Sequence, residues 1–213
     1  MKQILAALLL VTAIVAPAAA QRLSTDRTGT LTFNIKDDRG RNQASFLSES
    51  VVEDIAGTAS GLGGTVSFDP SDVAKTISAT VTVDVASMKT GIDMRDEHLR
   101  GEGWLNAKQF PTIEFKLLKL KGAKVKNGTE INGTAVGTFT MHGVTKNMEM
   151  PVTLIYMKES EKTKARAAGD LLVVRAKGTV SLSDFGVKNQ IVGQKVAETI
   201  SFQFNAVGST GGK

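Results

Sequence analysis

Cysteine is absent from this 213-residue chain, and proline occurs only four times. Without cysteine there is no disulfide framework, no thiolate metal site, no Cys nucleophile and no Cys-anchored lipid. Aromatic residues make up 5% of the chain, with one Trp and one Tyr. That scarcity argues against base stacking on single strands and against the aromatic girdles of an outer-membrane barrel. Histidine occurs twice, at His98 and His142. A His-based triad or a zinc site would have to be built around those two, with Asp96 nearby, and their spacing fits no zinc motif. No H-E-x-x-H, G-x-S-x-G or Gly-rich phosphate loop is present, so no catalytic residue, no metal ligand and no enzymatic activity is assigned. An excess of one charge sign is also missing. The 26 basic and 21 acidic residues are interspersed, for a formal charge of +5. No dense basic stripe exists, and no nucleic-acid partner is expected.

The first twenty residues have the pattern of a secretory signal. Lys2 is the basic start, Ile4 to Val15 the apolar run, and Ala18-Ala19-Ala20 an A-x-A cleavage site. The run is shorter than the ~20 residues of a membrane-spanning helix. The expected organisation is a signal peptide over 1–20, one domain over 21–207 and a disordered tail over 208–213. The expected location is the periplasm.

Beyond the leader the hydrophobic period is two. Ile77, Ala79, Val81, Val83 and Val85 share one face, with Thr, Ser and Asp on the other. This is a half-buried strand with one wet face. The same alternation places Leu31, Phe33 and Ile35 together. It does so for Met148, Met150, Val152, Leu154 and Tyr156, and for Ile200, Phe202, Phe204 and Ala206. Around Ile113–Leu120 the phase shifts, which predicts a bulge near Leu117–Leu118. Asn127-Gly128 and Asn132-Gly133 are predicted tight turns, Ser60–Gly64 a Gly-rich loop, and Lys158–Gly169 an exposed tip. Nine or ten strands are expected.

Helical signal is confined to about Asp93–Arg100, with Asp93 as the expected cap. It lies in the long 86–111 connection, and loops of that length are usually functional. The fold expected is all-β: a single antiparallel barrel with one short helix in a long loop, with a sandwich as the alternative. Gly133, Ala135 and Gly137 share a face with Phe139 and Met141, which would leave room for a lumen.

Four blocks carry a family resemblance. They are Ser87–Gly91 followed by Arg95–Arg100, Phe110–Phe115, Gly137–Lys146 and Leu182–Val187. In this order and spacing they resemble the YceI-like family. The resemblance covers about Thr30 to Val207. It implies a lipocalin-like barrel that holds a long isoprenoid or fatty chain inside it, without covalent chemistry. The chain departs from the family pattern at Asp26–Phe33, which lacks histidine, and at Trp104-Leu105-Asn106.

On that reading the lining candidates are Phe33, Val81, Val83, Phe115, Phe139, Met141, Met150, Val152, Leu154, Phe202 and Phe204. Arg95 and His98 are candidates for a polar head group, and Trp104 and Phe110 for lid anchors. Each has an ordinary structural role as its alternative: barrel core for the apolar residues, local ion pairing for Arg95. No cofactor is expected beyond the ligand itself, a polyisoprenoid, isoprenoid quinone or fatty-chain lipid. Partners are expected to be that amphiphile, a membrane surface in transient contact, and a second copy in a homodimer. The competing reading is a packed, ligand-free stress or membrane-surface interaction module.

Overall fold

The computed structural model describes residues 22–36 and 39–211. The expected leader lies outside the described residues, as do Gly212 and Lys213. Eleven strand segments follow in chain order: β1 (Leu31–Ile35), β2 (Gln43–Glu49), β3 (Asp54–Ala59), β4 (Leu62–Phe68), β5 (Ser78–Asp84), β6 (Met88–Lys89), β7 (Thr112–Lys126), β8 (Glu130–Met141), β9 (Val144–Met157), β10 (Leu171–Ser181) and β11 (Thr199–Ser209). Every pairing between these strands is antiparallel. Beyond its ladder with β4, β1 also pairs with β11, which closes an eight-strand barrel and excludes the sandwich. Closure leaves alternate residues facing inward along each strand.

One barrel position is shared by two segments. β1 pairs with Gly208–Ser209 of β11, and β2 pairs with Ile200–Asn205. Between these two ladders, at Val207, the Asn42 side chain takes over. Its Oδ1 accepts from Val207 N at 2.9 Å and its Nδ2 donates to Val207 O at 3.2 Å. Asn42 is 1% exposed, so the amide satisfies backbone groups that would otherwise be buried unpaired.

Several expectations are corrected here. β11 runs through Ser209, whose Oγ donates to Ala168 O, so the domain boundary at 207 and the tail from 208 move outward. Asn132-Gly133 is no turn. It lies inside β8, paired with Thr153 and Val152, and Asn132 Oδ1 accepts from Thr153 Oγ1 at 2.7 Å. Of the Gly-rich stretch only Ser60 and Gly61 lie outside the strands, and Leu62–Gly64 already belong to β4. Two single-turn helices, α1 (Val73–Thr76) and α3 (Glu161–Lys164), accompany the expected one, α2 (Asp93–Arg100). Asp93 does not cap α2: the cap position is Ile92, without a side-chain bond. Two other readings hold. The register of β7 slips between Leu117 and Lys119, and Asn127-Gly128 turns the β7–β8 hairpin with positive φ at both residues.

The end of the barrel nearest Phe33 is sealed. Phe33 stacks on Phe68 at 5.3 Å and meets Tyr156 edge-on at 6.3 Å. Residues 22–27 cross this end. Leu23 is buried, with Leu23 N bonded to Pro70 O and Ser24 N to Gly128 O at 2.7 Å. A Cβ on Gly128 would overlap the Ser24 side chain, so glycine there serves both the turn and this crossing. Arg27 Nε and Nη2 donate to the two Asp170 carboxylate oxygens at 2.8 and 2.9 Å. Tyr156 Oη and Glu159 N donate to the same carboxylate.

Candidate functional site

At the opposite end the wall parts. β9 pairs with β10 only over Val152–Met157. Pro151, which has no N–H to give, stands where that ladder stops. Across the barrel, β3 meets β6 only at Thr58 and Ala59. Strands that stop pairing diverge, and loops fill the openings. The turn after β10 places Phe185 against Phe139, with ring centroids 5.5 Å apart, and its carbonyl bonds His142 Nδ1 at 3.1 Å. His142 is thus a turn residue with φ +51° and one satisfied nitrogen.

Inside lies a cavity of about 460 Å³, within the ~300–1,000 Å³ of small-ligand sites. Val66, Leu120, Leu154, Val174 and Phe204 line its deep part, next to the sealed end. Phe115, Phe139, Met141, Met150 and Phe202 line the part nearer the opening. Its ionisable lining groups are Glu53, Arg95, His98 and Lys195. They come from the β2–β3 hairpin, α2 and the 186–198 segment, all at the open end.

Thirteen of the fifteen expected site residues line this cavity: Val81, Val83, Arg95, His98, Trp104, Phe115, Phe139, Met141, Met150, Val152, Leu154, Phe202 and Phe204. Two do not. Phe33 is fully buried beneath the cavity in the stack with Phe68, because β1 lies at the sealed end. Phe110 packs on the His142 ring, centroids 4.7 Å apart, and on Gly143. It fixes the end of the 86–111 connection to the β8–β9 turn. The small residues of β8 do not open the lumen as expected. A Cβ on Gly137 would lie 2.7 Å from Phe115 Cζ, and one on Gly133 would lie 3.0 Å from Leu120 Cδ1. The space those glycines leave is filled from β7.

The mouth is held by a polar knot around Thr90. Asp96 Oδ1 accepts from Thr90 N and Thr90 Oγ1, both at 2.6 Å. Arg95 Nε donates to Thr90 Oγ1 at 2.9 Å, and Arg95 Nη1 lies 3.8 Å from Glu53 Oε2. The bonds from Thr90 lower the Asp96 pKa, so the carboxylate stays ionised although buried. Arg100 Nη1 reaches the carbonyls of Ala86 and Met88. Arg95 therefore does what its structural alternative supposed, and still faces the opening.

Residues 24–208 match the YceI-like domain family. The chain belongs to that family. Protein YceI of Escherichia coli is 30% identical over 135 residues, a stretch covering 63% of this chain and 64% of that protein. The chain thus spans just under two thirds of the length of such relatives. Among solved structures, BcnA of Burkholderia cenocepacia superposes with a TM-score of 0.62 at 22% identity, covering 81% of this chain and 99% of BcnA. A polyisoprenoid-binding domain from Saccharophagus degradans, implicated in plant cell wall breakdown, gives 0.60 at 14% identity, covering 84% and 98%. At these identities the likeness establishes the fold.

The sequence does not point to the 22–27 segment, to Asn42, or to several cavity-lining residues: Val66, Leu120 and Val174 on strands, and Glu53, Ile92, Met94, Ile191 and Lys195 outside them. The first two act through partners far along the chain. The last five sit between strands, where a strand period gives no signal.

Proposed function

We propose that this YceI-like protein holds a long-chain isoprenoid, or a related amphiphilic lipid, non-covalently in its barrel and serves as a periplasmic carrier. The observation that carries this reading is a hydrocarbon-lined cavity, sealed at one end, whose ionisable groups all stand at the other. Such a cavity orients an amphiphile tail-first. Removing each CH₂ of the tail from water contributes ~0.8 kcal/mol. The polyisoprenoid-binding neighbour supports the ligand class, and the leader pattern of residues 1–20 supports export. Arg95, His98 and Lys195 suit a polar or anionic head group at the rim. The role is binding and shielding, with no bond made or broken.

The test is native mass spectrometry of protein purified from the periplasm without detergent, followed by organic extraction. A stoichiometric long-chain adduct is expected. An apo mass that stays unchanged after incubation with isoprenoid quinones, polyisoprenyl phosphates and fatty amides would overturn the reading. The packed interaction module would then replace it.

A further inference from the structure

Six large hydrophobic side chains are exposed among the described residues, and five of them gather at the cavity mouth. Val51 and Val52, 96% and 69% exposed, form the tip of the β2–β3 hairpin. Ile92 and Met94 stand at the start of α2, and Ile191 projects from the 186–198 segment. The last three also line the cavity, so the exposed rim is continuous with the apolar interior. The hairpin tip joins the same rim, because Glu53, the residue after Val52, faces Arg95 on α2. Single exposed apolar residues need no explanation, but a cluster around an opening does.

We infer that this rim dips into the surface of a phospholipid bilayer, mouth down, so that a lipid passes between bilayer and cavity without crossing water. The inference rests on the carrier reading and adds where the ligand is collected. Three features select a bilayer over a second copy of the chain. The side chains sit on three separate protruding tips, not on a face. Tips of this kind fall short of the ~800 Å² per partner of a standard protein interface. They also surround an opening that a lipid tail must enter. The charges are mixed, with Glu53, Asp93 and Glu97 beside Arg95 and Lys195. Insertion is therefore driven by apolar burial and needs no anionic lipid.

The experiment is co-sedimentation with vesicles of pure phosphatidylcholine, using wild type and a Val51→Asp, Val52→Asp double variant. Both positions point into solvent, so the fold tolerates the change. Farnesol binding in solution, read on Trp104 fluorescence, reports the cavity separately. Wild type is expected to sediment with the vesicles in about 0.5 M salt as well as without it. The variant should lose vesicle binding by about tenfold or more and keep its farnesol affinity. Equal sedimentation of variant and wild type would overturn the inference. So would binding that requires anionic lipid and disappears in salt. So would a wild type that ignores vesicles and is a dimer that the variant breaks. Absence of farnesol binding by wild type, with vesicle binding intact, would count against the carrier reading and leave the docking surface standing.

Discussion

Tyr156 Oη donates to Asp170 Oδ2 at 2.8 Å in the buried end of the barrel, and the same carboxylate takes a two-pronged bond from Arg27. One acid therefore ties β9, β10 and residues 22–27 together beneath the cavity floor. Its surroundings hold its pKa down to about 2, chiefly through Arg27, with Glu159 N and Tyr156 adding to it. Asp170→Asn should lower unfolding free energy by about 2–3 kcal/mol, and Tyr156→Phe by about 1 kcal/mol. Urea unfolding measures both. No change in either would mean that the N-terminal crossing contributes nothing to stability.

The same carboxylate gives the acid limb its direction. A group whose folded pKa is depressed contributes stability above its unfolded pKa and loses it as pH falls through the folded one. Stability should therefore decline from about pH 4 toward pH 2, with Asp170 supplying about 2 kcal/mol of the drop. The Asp170→Asn protein should show a shallower decline over that window. An identical decline in the two proteins would assign acid sensitivity elsewhere.

Asn42→Ala removes the side chain that bonds both backbone groups of Val207 near the end of β11. A cost of about 2–3 kcal/mol is expected from two buried backbone groups left unsatisfied. Hydrogen exchange should show the Val207 amide losing its protection, while Phe204 and Ala206 keep theirs.

Val83→Trp directs a large ring into the cavity from β5. Because the ring enters open space, stability should change by less than about 1.5 kcal/mol. Farnesol binding should be abolished. A variant that binds as wild type does would show that the tail lies along another wall.

Lys195→Ala combined with His98→Ala removes two rim groups that the polar knot around Thr90 does not use. Farnesyl phosphate should bind about a hundredfold more weakly, at ~1.5 kcal/mol for each of the two lost bonds, while farnesol is unaffected. Equal losses for both ligands would show that the rim positions the wall and does not read the head group.

How much of this was legible in the sequence follows from where each signal resides. β5, β9 and β11 alternate large apolar and polar side chains, and α2 carries its own charges in its first and last turns. Such patterns are local. β2 and β3 are hard to read because their inward positions carry Ala44, Ser48, Gly57 and Ala59 between Phe46 and Ile55, too few large residues to mark a face. Their share of the core is filled by the Phe46 ring, which lies over Gly57 on the neighbouring strand. Alternation points to most of the strand residues expected in the wall, but it passes over Val66, Leu120 and Val174, which line the deep part, and it gives Phe33 the right period at the wrong height in the barrel. Period fixes which way a side chain points and says nothing of how far along the axis it lies. The link between Arg27 and Asp170, 143 residues apart, has no local signature at all.

Closure of the barrel joins Asn34 in β1 to Ser209 in β11, and Arg27 waits on Asp170 in the same way. During synthesis the first wall of the structure is made long before the last. Until residues 199–209 exist, β1 has no partner on that side, and the floor formed by Phe33, Phe68 and Tyr156 lacks one of its walls. Pairings this distant in sequence are slow to form. The incomplete chain, with an open strand edge and an uncovered aromatic cluster, is the aggregation-prone species. The barrel closes only once β11 is in place, and a truncation that removes β11 takes away that closure.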